Sequence, residues 1–335
     1  MSKPRAVILG ITGQDGSYMA EHLLGLDYEV YGVVRRTSTG NLSRINHLMD
    51  KINIIHGDVT DSGSITRTLS LFLPNELYNF AAMSHVHVSF DEPASCFQST
   101  AVGCLNCLEA IKHVSPDTKY LYTSSSESFG SNQDDDGYQR ITTSFSPNSP
   151  YAVAKVAAFH MTKVYREAYG LKCCSSIGYN HESERRQDTF VTRKITKYVA
   201  GLFSCINKNL YPKLHLGNLA PFRDWSHAKD FVRAFHMMLQ VEHPKDYVVA
   251  SGNTCSVQQF LIDCFEYISK LDNHHYDWEK FVVIDPKFFR PCEVPYLRGD
   301  SAPIRQELGW SPQITYQELI SEMIDSDIRQ QKIKV

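Results

Sequence analysis

The chain has 335 residues, 42% of them hydrophobic, with 34 Lys plus Arg against 37 Asp plus Glu and a formal net charge of -3. That balance leaves no footprint for nucleic acid or an anionic membrane surface, and no apolar stretch approaches the ~20 residues needed to span a bilayer. The length exceeds a typical single core, which predicts a large domain carrying a smaller one.

The start, Met-Ser-Lys-Pro-Arg, runs into Arg5 to Leu9, a short apolar run that reads as a strand buried on both faces. No secretory leader is expected, and nine cysteines, an odd number, fit reduced thiols, so a cytoplasmic protein is predicted. Ser17 to Leu24 reads as helix, with Gly25 placed to stop it. Between strand and helix, Gly10, Gly13 and Gly16 follow G-x-x-G-x-x-G, a variant of the dinucleotide fingerprint. Its missing side chains let the backbone approach a pyrophosphate at the positive end of the helix. A strand-to-helix turn without a ligand is the plainer alternative.

Glu29 to Val34 reads as the second strand. It is followed by Arg35 and Arg36, where an NAD enzyme would place a carboxylate for the adenosine ribose. Two positive charges there favour a ribose carrying a 2′-phosphate, so NADP is predicted over NAD; solvation or pairing with another subunit is the alternative. Ile52 to His56 is the third strand, and Gly57-Asp58-Val59 after it offers a carboxylate to the adenine amino group, although Asp58 could equally cap a helix. Glu76 to Phe80 is the fourth, ending in Ala81-Ala82-Met83-Ser84-His85, small residues that leave room for the middle of a cofactor. Cys104 and Cys107 form C-x-x-C inside an apolar helical pattern, which predicts core packing rather than metal or redox chemistry.

Lys119 to Thr123 is the fifth strand, so Ser124, Ser125 and Ser126 stand at the carboxyl edge of the sheet, where open parallel sheets place their ligands. A Ser-rich turn is the bland account. Glu127 inside that turn is costly to bury without a partner or a task. Ser149-Pro150 precedes a stretch with helical periodicity to about Ala168, which places Tyr151 and Lys155 one turn apart on one face. A phenol with pKa about 10 is a poor base at neutral pH, whereas a neighbouring ammonium and a positively charged nicotinamide favour phenolate. Tyr151 then becomes a usable acid/base; an aromatic core residue beside a solvated lysine is the alternative.

After Tyr179 the alternation of strand and helix becomes irregular. The predicted fold class is α/β, a Rossmann-type doubly wound parallel sheet over residues 1–177 and 212–250, with a smaller, discontinuous α/β substrate domain over 178–211 and 251–335. Arg193, Lys194, Arg223 and Arg290 offer positive donors of the kind a diphosphate needs. His274-His275 is a lone pair in a polar loop, and no metal site is expected.

Nearly end to end, the chain resembles the extended short-chain dehydrogenase/reductase superfamily and, within it, the GDP-mannose 4,6-dehydratase family. The blocks that carry this are Ile8 to Tyr18, Val34 to Ser38, Asn180-His181-Glu182-Ser183, Thr189 to Ile195, Arg223-Asp224-Trp225, His227 to Asp230 and Phe289 to Val294. The resemblance implies an NADP enzyme in which Tyr151 takes the proton from the hydroxyl at carbon 4 of the hexose. Glu127 removes the proton at carbon 5 and assists loss of water from carbon 6, Ser125 hydrogen-bonds the oxygen at carbon 4, and Lys155 holds the nicotinamide ribose. It also implies cofactor contacts from Gly10, Thr12, Gly13, Gln14, Asp15, Gly16, Arg35, Arg36, Asp58, Val59, Ala81, Ala82, Ser84, His181 and Arg186. Asn180, Val191, Lys194, Ser84 and Gly217 are expected on a GDP-sugar, Arg223 and Arg290 on its diphosphate, and Glu293 on a nucleotide ribose hydroxyl.

Glu127 argues against an epimerase or reductase, which need no carboxylate at that place. The joint presence of Ser125, Glu127, Tyr151 and Lys155 argues against a cofactor-sensing protein without catalysis. Met83, Glu184, Gln187, Ser226 and Pro295 depart from the family pattern, which makes GDP-manno-heptose the rival to GDP-mannose. In this family the loop matching Arg35 to Arg44 reaches a neighbouring subunit within a tetramer; a dimer through the helix of Tyr151 is the conservative expectation.

Overall fold

The protein is described as a computed structural model over residues 3–37 and 40–332. Ser38, which closes one block of the resemblance, and residues 333–335 of the expected second domain lie outside the described residues.

Seven strands form one parallel sheet: β1 (Arg5–Leu9), β2 (Glu29–Val34), β3 (Asn53–His56), β4 (Glu76–Asn79), β5 (Lys119–Ser125), β6 (Cys173–Gly178) and β7 (Tyr247–Val249). Their order is β7-β6-β5-β4-β1-β2-β3, so the chain winds outward in both directions from β1 and β4. This is the doubly wound arrangement, and its crevice opens where the winding reverses, beyond the carboxyl ends of β1 and β4. The central strand explains the buried register: Ala6, Val7 and Ile8 are fully buried, because helices cover both faces. Burying a Val or Ile side chain contributes about 1.5–3 kcal/mol, so this run of apolar residues specifies the middle of the sheet.

Eight long helices position the site: α1 (Gln14–Gly25), α2 (Ser62–Phe72), α3 (Gly103–Val114), α4 (Pro150–Tyr169), α5 (Val191–Ser204), α6 (Ala228–Leu239), α7 (Val257–Leu271) and α8 (Tyr316–Lys332). One face of the sheet packs α1 and α6 around Met19, Leu23, Phe231 and Phe235. The other packs α2, α3 and α4 around Leu69, Leu108, Ile111 and Ala158. Cys104 and Cys107 belong to that second core, fully buried, as the apolar pattern predicts. A third apolar cluster joins α5, α7 and α8 through Ile195, Val199, Phe260, Phe265, Met323 and Ile324.

We propose two units along the expected lines, with the packing moving the seam at two places: 214–216, expected with the sheet, goes to the smaller unit, and 304–310, expected in the smaller unit, goes to the sheet. Leu214 and Leu216 pack with the third cluster, whereas Ile304 and Trp310 return to the sheet. Two local readings shift. The first helix begins at Gln14 rather than Ser17, and the left-handed residue after it is Asp27 (φ 62°) rather than Gly25. The fifth strand runs on to Ser125, past the expected end at Thr123.

Candidate active site

The glycine turn is built by close backbone approach. Gly10 has φ +78°, and a Cβ there would stand 3.1 Å from the Ala81 nitrogen; a Cβ on Gly16 would stand 2.3 Å from the Gly10 oxygen. Side chains at either place would push the turn off the start of α1. Gly13 caps that helix without a side-chain hydrogen bond, so the first amides of α1 lack a side-chain acceptor and face the crevice end of β1. Uncapped amides at the positive end of a helix are what a pyrophosphate uses, and this cradle therefore fits a dinucleotide.

Around it stand the other expected cofactor residues. Asp15 lies 3.0 Å from His181 Nε2, His181 Nδ1 lies 2.7 Å from the Tyr179 carbonyl, and the His181 ring stacks on Phe231. Gln14 donates to the His181 carbonyl at 2.9 Å and accepts from Ser183, while the Thr12 carbonyl accepts from Arg44. Burial acts against ionisation of both members of the Asp15–His181 pair, but their mutual attraction wins, lowering the pKa of Asp15 and raising that of His181. Arg186 is 3.2 Å from Glu182 and lies over the Phe190 ring. Ala81 and Ala82 are half-buried at the end of β4, with Ser84 exposed beyond them.

Arg35 and Arg36 are exposed at the end of β2, next to the end of β3. Beyond β3, Val59 is buried against Gly103, and the Asp58 carboxylate accepts from the amide and hydroxyl of Thr60. Asp58 thus closes a local turn, and the cap of α2 is Asp61 instead, which accepts from the Gly63 amide.

The acid/base residues converge because β5 and α4 are neighbours. Ser149 caps α4 by accepting from the Ala152 amide, Pro150 occupies the first turn and Gly170 (φ 67°) ends it. Tyr151 and Lys155 then share the buried face, 8% and 4% exposed. Lys155 donates to the Thr123 carbonyl at 2.6 Å, and its ammonium stands 5.7 Å from the centre of the Tyr151 ring and 5.0 Å from that of Tyr122. Ser125 does two things: its hydroxyl accepts from the Glu127 amide at 3.3 Å, as the plain turn reading requires, and it is near enough to the Tyr151 phenol to favour its ionised form.

The electrostatics of the two groups are dominated by burial. Burial pushes the Tyr151 phenol up to about 12; the neighbouring Ser125 hydroxyl lowers it, and the Glu127 charge raises it again. Burial also brings Lys155 down to about 8. The lysine alone therefore does not turn Tyr151 into phenolate in this chain, because both groups lose water together.

Glu127 lies in the short helical turn Ser126–Phe129, nearly buried, and accepts from Arg290 Nη1 at 3.1 Å. Arg290 stands 3.8 Å from Glu293, and Glu293 in turn accepts from Arg223 at 2.8 Å. Arg223 is 5% exposed and also donates to the carbonyls of Phe222 and Val294. Lys194 lies over the Phe288 ring, and Gly217 packs on the Phe288 backbone so closely that a Cβ would stand 2.6 Å from its oxygen. Asn180 and Val191, both half-buried, begin the short strand and the helix on either side of the 183–190 loop. Arg193, one of the four basic residues singled out as diphosphate donors, points the other way: it is 3% exposed and paired with Asp327.

Two neighbours escaped the reading of the chain. Tyr122 lies under Lys155, a contact its strand alternation with Ser124 hints at but does not specify. Asp224 is fully buried, accepts from the amides of Ser251 and Gly252, and is pushed up to about 6 by burial. Farther out, Glu184, His227 and Glu322 bring donor atoms within 4.8 Å of one another. There His227 Nδ1 accepts from the Lys229 amide, which leaves the proton on Nε2, 3.3 Å from Glu322. Glu322 is also paired with Lys229 at 2.6 Å, and Glu184 accepts from the Tyr18 hydroxyl at 2.7 Å, so both carboxylates already have partners.

Comparison with known proteins places this geometry. The profile of the GDP-mannose 4,6 dehydratase family matches residues 7–323. GDP-mannose 4,6 dehydratase 2 of Arabidopsis thaliana is 44% identical, covering 96% of this chain and 86% of its own. GDP-mannose 4,6-dehydratase of Vibrio cholerae is 42% identical, covering 98% and 94%. Among solved structures, UDP-glucose 4-epimerase of Thermus thermophilus in complex with NAD superposes with a TM-score of 0.82 at 23% identity, covering 96% of this chain and 98% of that one.

Proposed function

This chain belongs to the GDP-mannose 4,6-dehydratase family, and we propose on that premise that it is an NADP-dependent hydro-lyase converting GDP-mannose to GDP-4-keto-6-deoxymannose. The observation that carries dehydration over epimerisation is Glu127: a nearly buried carboxylate just beyond Ser125, on the same sheet edge as Tyr151. Epimerisation at carbon 4 gives such a group nothing to do.

Tyr151 as phenolate takes the proton from the carbon 4 hydroxyl, while Ser125 donates to the oxygen there. The carbonyl so formed makes the proton on carbon 5 acidic. Glu127 removes that proton and delivers one to the oxygen leaving carbon 6, so water departs and a conjugated enone remains; as carbon 6 is reduced, carbon 5 takes up a proton, which balances the one Tyr151 took from the carbon 4 hydroxyl. Bound NADP supplies the oxidant for carbon 4, a positive ring charge beside the phenol, and the reductant for carbon 6. Lys155, fixed by the Thr123 carbonyl, holds the nicotinamide ribose, and Arg223, Arg290 and Lys194 meet the GDP moiety. Arg35 and Arg36 at the end of β2 support a 2′-phosphate.

The direct test is incubation of the enzyme with GDP-mannose and, separately, GDP-manno-heptose, with either NADP or NAD, reading products by mass. GDP-mannose with NADP is expected to lose one water without net consumption of cofactor. A product of unchanged mass, or one needing stoichiometric NADPH, would replace this reading with an epimerase or a reductase. Exclusive turnover of the heptose would transfer the assignment to that sugar.

Lys155 adds a pH dependence. Its ammonium, brought down to about 8 by burial, is charged below that value and neutral above it. The NADP dissociation constant is therefore expected to rise as pH increases through about 8, and Lys155→Met to flatten the profile. A wild-type constant that stays level across this interval would remove the lysine's charge from cofactor binding.

No helix among the described residues is long and apolar enough to cross a membrane. A cytoplasmic homo-oligomer completes the proposal, a dimer through α4 as the minimum and a tetramer through the 35–44 loop. Val153, Val164 and Tyr169, large and about half exposed on α4, support the helix contact.

A further inference from the structure

Among the described residues the Glu127 carboxylate has one hydrogen-bond donor, and that side chain is the one proposed for the substrate's diphosphate. Arg290 Nη1 donates to Glu127 at 3.1 Å, and its separation of 3.8 Å from Glu293 is an ion pair too long for a hydrogen bond. The two arginines differ in freedom. Arg223 is clamped by two backbone carbonyls and by Glu293, whereas the side chain of Arg290 is 31% exposed and has this single hydrogen bond among the described residues. A guanidinium carries five N–H donors, so Arg290 keeps most of its capacity unspent on the protein.

We propose that Arg290 is a latch on Glu127, a positioning residue that pairs with the base and is drawn off it when a nucleoside diphosphate binds. The inference rests on the reading of Glu127 as the base and of the substrate as a GDP-sugar. A diphosphate brings more negative charge and more acceptor oxygens than one carboxylate, so it outcompetes Glu127 for a guanidinium that can pivot. Arg223 stays where its carbonyl partners hold it and marks the fixed side of the anion site. Glu127 gains its freedom to take a proton only once the nucleotide is seated, and the base is quiet when the crevice is empty. The same exchange makes Glu127 a competitor of the nucleotide for Arg290.

That competition is measurable without turnover. In the NADP-loaded enzyme, GDP is titrated by calorimetry into the wild type, Glu127→Gln, Arg290→Ala and the double variant. Glu127→Gln is expected to tighten GDP binding by roughly tenfold in the presence of Arg290 and to leave it unchanged in the Arg290→Ala background. Equal tightening in both backgrounds would reduce the effect to simple repulsion between carboxylate and phosphate, and no tightening in either would mean no competition; each overturns the latch. Failure of the wild type to bind GDP, together with no loss of water from GDP-mannose, overturns the underlying functional reading instead.

Discussion

Tyr151→Phe is expected to lower turnover by about 10²–10⁴-fold while NADP still binds. The substitution removes one oxygen from a ring that is packed on the buried face of α4, so the helix and its Ser149 cap are left as they were. What disappears is the acceptor for the proton at carbon 4, and with it the first step. Burial pushes this phenol up to about 12, so the proposed mechanism needs the positive charge of the bound cofactor to favour phenolate. Mixing the variant with NADP and GDP-mannose should give no rise in reduced-nicotinamide absorbance within the time of many wild-type turnovers. Unimpaired turnover by the variant would take the acid/base role away from Tyr151.

Glu127→Gln should reduce product formation by a factor of about 10² or more, with a different signature. Oxidation at carbon 4 does not need the carboxylate, so the variant is expected to show reduced-nicotinamide absorbance in an amount stoichiometric with enzyme when substrate is added. In the wild type the electrons are returned and nothing accumulates. The contrast separates the two variants: Tyr151→Phe stops before the redox step and Glu127→Gln stops after it. Gln keeps the size of the side chain and loses the charge-assisted bond to Arg290, so the readout must include circular dichroism to show the fold intact. Full turnover by a folded Glu127→Gln would leave the elimination without its base.

The parts of the site that lie close together in the chain were legible from it. Gly10, Gly13 and Gly16 occupy one turn, and the close approaches there follow from three glycines at that spacing before a helix. Tyr151 and Lys155 sit one helical turn apart after a Ser-Pro start, and Ser149 caps the helix at that start. The strands at the centre of the sheet read as apolar runs because both their faces are covered. Asp58 shows where this stops: its Oδ1 accepts from Thr60 while the cap of α2 falls to Asp61, a division of labour that no pattern around them decides.

By itself the chain determined the parallel sheet, the dinucleotide turn and the pairing of phenol with lysine, since periodicity and capping act over a few residues and are written in their order. Only the tertiary structure decided which charges meet. Arg193 turns inward to Asp327, while Arg290 crosses 163 positions to reach Glu127. Four arginine and lysine side chains look alike in a sequence, and what separates them is how much water each loses and which carboxylate replaces it. Those quantities exist only once distant segments have packed.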